Sequence, residues 1–406
     1  MRRFLQDTSA STATAGFVAV LVGFTSSVAI VFQAALAFNA TPAQLASWMW
    51  ALGLGMGLCT VLPSLWLRRP VMVAWSTPGA AVLATAGVAG GFSMGEAVGA
   101  FMVSAVLMLL AGVTGAFERV MNRIPVAVAA ALLAGVLARF GLNGFVAAQT
   151  APLLVIGMLL VYLLARQLLP RYAVPLTLLI AIIFVAASGG FIWSGGTIAV
   201  TTPVWVSPEF SWRAAVSLAL PLFVVTMASQ NLPGVAAIQA AGFANPKSSQ
   251  GAIPVSKVIA LCGLGTLLLA PAGAFALNLS AITAAICMGP EAHPDPARRY
   301  TAAVWCGVFY LLIGLFGGAV TGVLSSFPKE LVAAIAALAL LGTIGNALAS
   351  ALGNETHREA AALTFLIALS GVTLAGIGSA FWAVLAGALA LAVQRWRGAG
   401  KIEARG

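Results

Sequence analysis

The chain has 406 residues, of which 61% are hydrophobic and only 7% are charged, and its formal net charge is +10. Soluble domains contain about 25% charged residues, so this composition excludes a soluble globular protein and predicts an integral membrane protein. Two stretches without any charged residue, 214–246 and 258–290, are each longer than the ~20 apolar residues that a membrane-spanning helix requires.

Apolar segments separated by polar breaks predict about fourteen transmembrane segments in an all-α protein. Residues 13–190 form a first set of seven, residues 191–212 an extended connector, and residues 213–396 a second set of seven. Because each set has an odd number of crossings, the second set is inserted upside down relative to the first, which is the geometry of an inverted repeat.

The basic residues agree with this topology. With the N-terminus in the cytoplasm, seventeen of the twenty Lys and Arg residues fall on the inner side, the exceptions being Arg139, Arg213 and Lys329. This asymmetry follows the positive-inside rule and predicts that both termini are cytoplasmic. The net charge therefore reflects the topology, because the basic residues lie on the cytoplasmic loops, and nucleic acid is not predicted as a partner; the lipid bilayer is the expected surroundings. Arg139, near the outer end of segment 124–142, is expected to snorkel to the headgroups, or alternatively to attract anions at the entrance.

The third segment, residues 70–89, is predicted to be broken at Trp75-Ser76-Thr77-Pro78-Gly79. Thr77 is the expected N-cap, and Pro78 suits the first helical position, where its missing N–H costs nothing. A helix that begins inside the bilayer leaves N–H groups that must face a ligand, water or protein, and its dipole favours an anion. Substrate contacts are therefore predicted at Ser76, Thr77, Pro78 and Gly79. A proline-kinked helix satisfied by its neighbours is the alternative.

A second interruption is predicted in the tenth segment, residues 271–288. The uncharged stretch 258–290 is shorter than the ~40 residues that two full helices need, so at least one of its helices is short or broken. Ala270-Pro271-Ala272-Gly273 marks the expected start of a half-helix, with Ala272 and Gly273 at the substrate, although a kink is again the alternative. Paired interruptions in two halves of a transporter indicate its binding site.

Polar residues inside apolar segments are the other site candidates. Gln230 and Asn231 in segment eight and Asn278 in segment ten are costly unless they line a cavity or bond to another helix. The aromatic side chains Trp75 and Phe275 are candidates for stacking on a ligand, and Phe223 is a third, although aromatic residues in membrane helices usually face lipid or core.

Acidic residues and histidines are absent from the middle of the predicted segments. The sequence therefore predicts neither a membrane enzyme nor a proton relay through side chains. No cofactor or metal is expected, because the compact polar group Glu291–Asp295 lacks distant partner ligands and is interpreted as a solvated loop.

Four motifs resemble the bacterial benzoate transporter (BenE) family. They are AWSTPGAA at 74–81, TMASQN at 226–231 with Pro233-Gly234, AITAAIC at 281–287 with EAHPD at 291–295, and GIGSAFW at 376–382. The resemblance implies an inner-membrane benzoate:proton symporter with the inverted-repeat fold of nucleobase and bicarbonate carriers. In that fold segments 1–4 and 8–11 form a core, segments 5–7 and 12–14 form a gate, and segments 3 and 10, half strand and half helix, meet at the substrate.

One departure concerns the coupling ion. Nucleobase carriers of this fold have carboxylates on segments 8 and 10, where this chain offers Gln230, Asn231 and Asn278. A neutral site is compatible with an anionic substrate, and it leaves the proton's route open, with the substrate carboxylate or water as its carrier.

The expected function is import of benzoate or a similar small aromatic carboxylate, with a proton, across the bacterial inner membrane. A carrier of the same fold for another organic anion or a nucleobase is the first alternative, and a homodimer is left open. A channel is disfavoured, because selectivity filters usually need rings of carbonyls or charges and the sequence offers no charged ring.

Overall fold

The structure is a computed structural model. It describes residues 2–25, 27–115, 126–169, 172–188, 199–244, 252–290, 292–372, 374 and 379–403. Several residues used in the sequence analysis lie outside these ranges, namely Arg119, Arg123, Arg171, Lys247, Glu291, Arg405, the first part of the connector and residues 376–378 of the last motif.

Helices account for nearly all of the described chain, as the composition predicts. In the first half they are α1 (Arg2–Asp7), α2 (Ala10–Thr25), α3 (Val28–Leu36), α4 (Pro42–Leu67), α5 (Thr77–Gly90), α6 (Met94–Val113), α7 (Val126–Val146), α8 (Pro152–Leu168) and α9 (Ala173–Ala187). Strand β1 (Val73–Trp75) precedes α5.

The second half begins with one long helical span, Trp212–Gln239. It contains α10 (Leu220–Thr226), a π-helical turn at Met227–Asn231 and most of α11 (Leu232–Ala240), which ends one residue beyond the span. The elements that follow are α12 (Val255–Leu269), β2 (Leu277–Leu279), α13 (Ile282–Met288), α14 (Tyr300–Leu315), α15 (Gly317–Ser325), α16 (Lys329–Leu352), α17 (Arg358–Ser370) and α18 (Ser379–Glu403).

Seven helical spans in the described ranges are long and apolar enough to cross a membrane, and four shorter apolar helices accompany them. The protein is therefore a helical membrane protein, with two short strands as its departure from an all-α structure. The count of fourteen crossings stays a prediction.

The helices pack in two groups. Helices α2 to α6 pack with α12, α13 and α14, whereas α7 to α9 pack with α16, and α17 and α18 join that second group. Glycines allow the closest crossings, because association in lipid depends on close packing rather than on a hydrophobic driving force. A Cβ on Gly53 of α4 would lie 2.6 Å from the Cα of Gly314 in α14, and one on Gly112 of α6 would lie 2.5 Å from the backbone of Ala260 in α12.

The described part of the connector, residues 199–211, contains neither helix nor strand. Its backbone N–H groups donate to carbonyl oxygens at helix ends: Thr201 to Leu315 at 2.8 Å, and Val206 to Pro271 at 2.8 Å. Leu315 is the last residue of α14, and Pro271 follows the end of α12. The basic residues Lys257 and Arg299 lie at the other ends of these two helices, near the start of α12 and just before α14. The connector therefore crosses the face of the protein opposite to these basic residues.

Arg299 anchors the loop after α13. Its guanidinium is buried and donates to the carbonyl oxygens of Met288 at 2.8 Å and His293 at 2.9 Å. Burial lowers the pKa of Arg299, an effect that Asp295 opposes. A cation at the last carbonyl of a helix stabilises its C-terminal end, so Arg299 holds the short helix α13 in place.

Candidate functional site

The centre of the protein is a two-stranded antiparallel sheet formed by residues far apart in the chain. In β1 and β2, Val73 pairs with Leu279, Ala74 with Asn278 and Trp75 with Leu277. Each strand leads directly into a helix, α5 after β1 and α13 after β2. The two predicted segments 70–89 and 271–288 are therefore broken, each with a strand followed by a helix.

Hydrogen bonds at the two ends of this sheet match each other. The Ser76 N–H donates to the Ala276 carbonyl at 3.1 Å, and the Ser280 N–H donates to the Met72 carbonyl at 3.0 Å. A two-fold rotation that exchanges Ala74 with Asn278 exchanges these two bonds. Ser76 and Ser280 are therefore corresponding residues, each at the end of a strand.

The helix that precedes each strand contributes a matching threonine. The Val73 N–H donates to the hydroxyl of Thr60 in α4 at 3.2 Å, and the Leu277 N–H donates to that of Thr266 in α12 at 3.1 Å. Both hydroxyls satisfy strand N–H groups that point away from the partner strand. Sequence reasoning missed them because a single threonine in an apolar segment is too common to stand out.

Ser76, rather than Thr77, is the N-cap of α5, so that prediction is wrong by one residue. The Ser76 hydroxyl accepts from the Gly79 N–H at 3.0 Å. Thr77 is the first helical residue and Pro78 the second. Ser76 takes the cap because its own N–H is still paired with β2, which keeps its backbone extended (φ −80°, ψ 98°), as an N-cap requires.

The half-buried Thr77 is the polar residue left over at the start of α5. In the described part of the chain neither its hydroxyl nor its N–H has a hydrogen-bond partner. Gly79 has a packing role, because a Cβ there would meet Leu222 of α10 at 2.6 Å. Of the four residues predicted here, Thr77 is therefore the one whose polar groups remain available for hydrogen bonds to a ligand.

The span Trp212–Gln239 supplies two buried contacts to the sheet and the half-helix. The Asn231 amide oxygen accepts from the Leu279 N–H at 3.0 Å, and the Thr226 hydroxyl donates to that of Ser76 at 2.9 Å. Asn231 therefore holds β2 in place, as the structural alternative proposed. Gln230, its neighbour, is half-buried, and its side chain has no hydrogen bond within the described residues.

Asn278 is fully buried on β2, opposite Ala74, and only one of the two polar atoms of its amide has a hydrogen-bond partner among the described residues. Its nitrogen donates to the Ala276 carbonyl at 3.0 Å, whereas its oxygen has no partner among the described residues. A buried acceptor without a donor is costly, and such exceptions in native structures call for an explanation. Among the predicted residues, Asn278 is therefore the strongest candidate for a ligand contact.

Ala270-Pro271-Ala272-Gly273 ends a helix and does not begin one, so the prediction of a half-helix there is wrong. Residues Ala270–Ala272 form a 3-10 turn after α12, and Gly273 follows with φ +105°. The Ala272 carbonyl accepts from the hydroxyl of Ser47, and a Cβ on Gly273 would overlap the ring of Trp48. The tenth segment's helix begins at Ile282 instead, beyond β2.

Two of the three candidate aromatic residues are committed to packing. The Trp75 indole N–H donates to the Ser27 hydroxyl at 2.8 Å, and Phe275 lies 5.6 Å from Trp48 between ring centroids. Phe223 of α10, by contrast, is half-buried. It is the candidate that remains for contact with an apolar ligand.

The family model for benzoate membrane transport proteins matches residues 6–393. The inner membrane protein YdcO of Escherichia coli (strain K12) is 48% identical over 379 residues, which cover 93% of this chain and 94% of that protein. A benzoate membrane transport protein of Acinetobacter baylyi is 37% identical over 390 residues, or 96% of each chain.

A solved structure with the same fold is the transmembrane domain of a cyanobacterial bicarbonate transporter, BicA. It aligns with a TM-score of 0.61 and 13% identity, covering 93% of this chain and 97% of that one. The fold is thus that of an anion transporter's membrane domain, and the family match spans nearly the whole chain. The resemblance found in the sequence motifs is confirmed: the chain belongs to the benzoate membrane transport protein (BenE) family.

Proposed function

We propose that this protein is a secondary active transporter of the bacterial inner membrane that imports benzoate, or a similar small aromatic carboxylate, together with a proton. The observation that carries this proposal is the buried amide oxygen of Asn278, which has no partner among the described residues and which lies on β2 opposite Ala74, three residues before the start of α5. Family membership supports transport, and the fold shared with a bicarbonate transporter supports an anionic substrate.

The proposed architecture is the 7+7 inverted repeat, with residues 13–190 and 213–396 as the two halves. The matching hydrogen bonds around Ala74 and Asn278 support it. The core would contain α2 to α6, the span Trp212–Gln239 and α12 to α14, and the gate α7 to α9 and α16 to α18. The two packing groups support this division, and movement of one against the other gives alternating access.

In the proposed site the substrate's carboxyl group lies between the start of α5 and Asn278. Thr77 donates through its hydroxyl and N–H, where the positive end of the helix dipole favours an oxygen atom. Gln230 supplies a further amide, and Phe223 contacts the ring. Ser76 and Asn231 act indirectly by holding α5 and β2, and we leave Ala272 and Gly273 out of the site.

The orientation of the Asn278 amide supports transport of the proton as part of the substrate, in the form of the carboxylic acid. Its nitrogen is bonded to the carbonyl of Ala276, and because a carbonyl only accepts, this bond turns the amide oxygen towards the ligand. That oxygen requires a donor. A carboxylate has none, whereas a carboxylic acid donates its O–H, so we propose that the acid is the bound form.

Binding of the acid form predicts a steep pH dependence. The dissociation constant for total benzoate, measured by calorimetry on purified protein, is expected to rise about tenfold for each pH unit above the pKa of the acid, because the protonated fraction falls in that proportion. A dissociation constant that does not change with pH would contradict the proton's place on the substrate while leaving benzoate transport intact.

Transport itself is tested by uptake of labelled benzoate into proteoliposomes with and without an inward proton gradient. Saturable uptake that the gradient drives above equilibrium is expected. Saturable uptake of labelled bicarbonate or a labelled nucleobase without saturable uptake of benzoate would favour the alternative carrier, and conductance without accumulation would favour a channel.

Two adjacent substitutions separate binding from structure at the start of α5. Thr77→Val is expected to raise the KM for benzoate by about tenfold with normal stability, because its polar groups have no partner among the described residues and one lost hydrogen bond to a ligand has about that effect.

The matched variant Ser76→Ala removes the cap and the bond from Thr226. It is expected to lower the stability of the protein by about 1 kcal/mol. Thermal unfolding in detergent and uptake kinetics of both variants are the measurements. Wild-type kinetics in Thr77→Val would remove that residue from the site.

A further inference from the structure

Arg139 is the fourteenth of the 21 residues of α7 (Val126–Val146) and lies within the apolar span Ala130–Gln149. Its Nη1 atom is buried in the protein, so in this structure the side chain does not snorkel to the headgroups. A charge within a membrane-spanning segment is costly and marks a functional position by default.

The guanidinium of Arg139 is packed inside the protein against Gly371. A Cβ added to Gly371 would overlap its Nη1 atom, and Gly371 (φ +66°) is the left-handed residue that ends α17. Nη1 is buried without a hydrogen-bond partner among the described residues, and the ion pairs found there do not include Arg139. The positive charge therefore lacks a compensating group in that part of the chain.

A small cavity at the boundary between the two helix groups shares Gly371, the residue against which Arg139 packs, as part of its wall. It is lined by Thr85 and Ala86 of α5, by Val136 one turn before Arg139, and by Gly371 and Ser379. At ~1.5 Å of rise per residue, Thr85 is about 12 Å along α5 from Thr77. The cavity has a volume of about 10 Å³, roughly the room that one water molecule needs.

We infer that Arg139 is a second anion-binding position between α5 and the gate helices, which pairs with the substrate in its carboxylate form, whereas the site at Asn278 takes the protonated acid. This inference rests on the proposed function for the identity of the anion. A guanidinium binds a carboxylate through two parallel hydrogen bonds, and the anion supplies the charge that the described surroundings of Arg139 lack. The cavity is closed to a carboxylate in this structure and opens when the gate moves away from α5.

A structural role makes different predictions. A cation at the C-terminal end of α17 can stabilise that helix through its dipole, and in that case Arg139→Gln would lower the thermal midpoint and leave anion binding unchanged. A substrate contact predicts the reverse. Removing an uncompensated buried charge leaves the thermal midpoint of the unliganded variant equal to that of the wild type or higher, while anion binding at Arg139 is lost.

The test compares Arg139→Gln and Arg139→Lys with Arg166→Gln, a control in which an exposed arginine of α8, bonded to Tyr162, is replaced. The readouts are the rise in thermal midpoint produced by benzoate, bicarbonate or chloride at constant ionic strength, and the KM for uptake. We expect Arg139→Gln to lose the rise in thermal midpoint produced by bicarbonate or chloride, to reduce the rise produced by benzoate, and to raise the KM by about 10- to 100-fold. Arg139→Lys should be intermediate, and Arg166→Gln should behave as the wild type.

The outcomes separate this inference from the proposed function. If benzoate stabilises the wild type and Arg139→Gln equally, the role of Arg139 is wrong and the proposed function stands. If bicarbonate but not benzoate stabilises the wild type, and Arg139→Gln abolishes that effect, Arg139 binds anions and the proposed substrate is wrong.

Discussion

Replacing Gly53 by leucine is expected to destabilise the protein strongly. The position faces Gly314 where α4 crosses α14, and a Cβ would lie 2.6 Å from the Gly314 Cα and 2.7 Å from the Tyr310 carbonyl oxygen. These are backbone atoms, so the helices must separate. Overpacking a well-packed core costs about 1–3 kcal/mol and occasionally more, which is a large share of the ~5–15 kcal/mol that stabilises a typical protein.

Gly157→Leu is the matched control, because nothing lies within 4 Å of a Cβ on that glycine of α8. Gel filtration and thermal unfolding in detergent measure the effect. We expect aggregation or a strongly lowered midpoint for Gly53→Leu and wild-type behaviour for Gly157→Leu. A normal elution profile with an unchanged midpoint in Gly53→Leu would show that the α4–α14 crossing is less closely packed than in this structure.

Asn278→Leu is expected to abolish most benzoate uptake without destabilising the protein. The substitution removes an amide oxygen that has no partner in the described residues. It leaves no new unpaired group, because the Ala276 carbonyl keeps its bond from the Ser76 N–H. Stability should therefore be unchanged or higher by about 1 kcal/mol, while uptake falls about 10- to 100-fold through the lost contact with the substrate.

Asn231→Leu provides the contrast, because it is the same substitution at a second fully buried asparagine. There the lost amide oxygen accepts from the Leu279 N–H, and an orphaned buried N–H costs about 1–3 kcal/mol. Thermal midpoints and uptake measured on both variants decide whether Asn278 has a structural role or a role in substrate binding. A destabilised Asn278→Leu with normal kinetics per folded molecule would assign Asn278 to the fold and not to the substrate.

The sequence predicted the broken helices better than it predicted their exact starts. Ser76 and Thr77 are both competent N-caps, and local chemistry does not choose between them. The choice depends on Ala276, two hundred residues away, whose carbonyl keeps the Ser76 N–H in the sheet. In the second half the conspicuous Pro271 and Gly273 end α12, whereas Ser280, which corresponds to Ser76, carries no such signal.

For the polar residues, too, contacts between distant parts of the chain decide what local sequence does not. Asn231 and Asn278 are equally unusual in an apolar segment, and both were predicted to bind substrate. Only the packing of β2 against the span Trp212–Gln239 gives the Asn231 oxygen a donor and leaves the Asn278 oxygen without one. Arg139 is a similar case, because only the tertiary structure packs its guanidinium against Gly371 at the end of α17.

By itself, the amino-acid sequence determined the membrane environment, the two interrupted segments, the family and the short set of polar residues in the interior. Composition and motifs carry this information because it depends on neighbouring residues and on the solvent. The tertiary structure decided which strands pair, which residue caps α5, which polar atoms remain unsatisfied and which charge lies at the boundary between the helix groups. Those properties depend on contacts between residues distant in the chain, which no local pattern records.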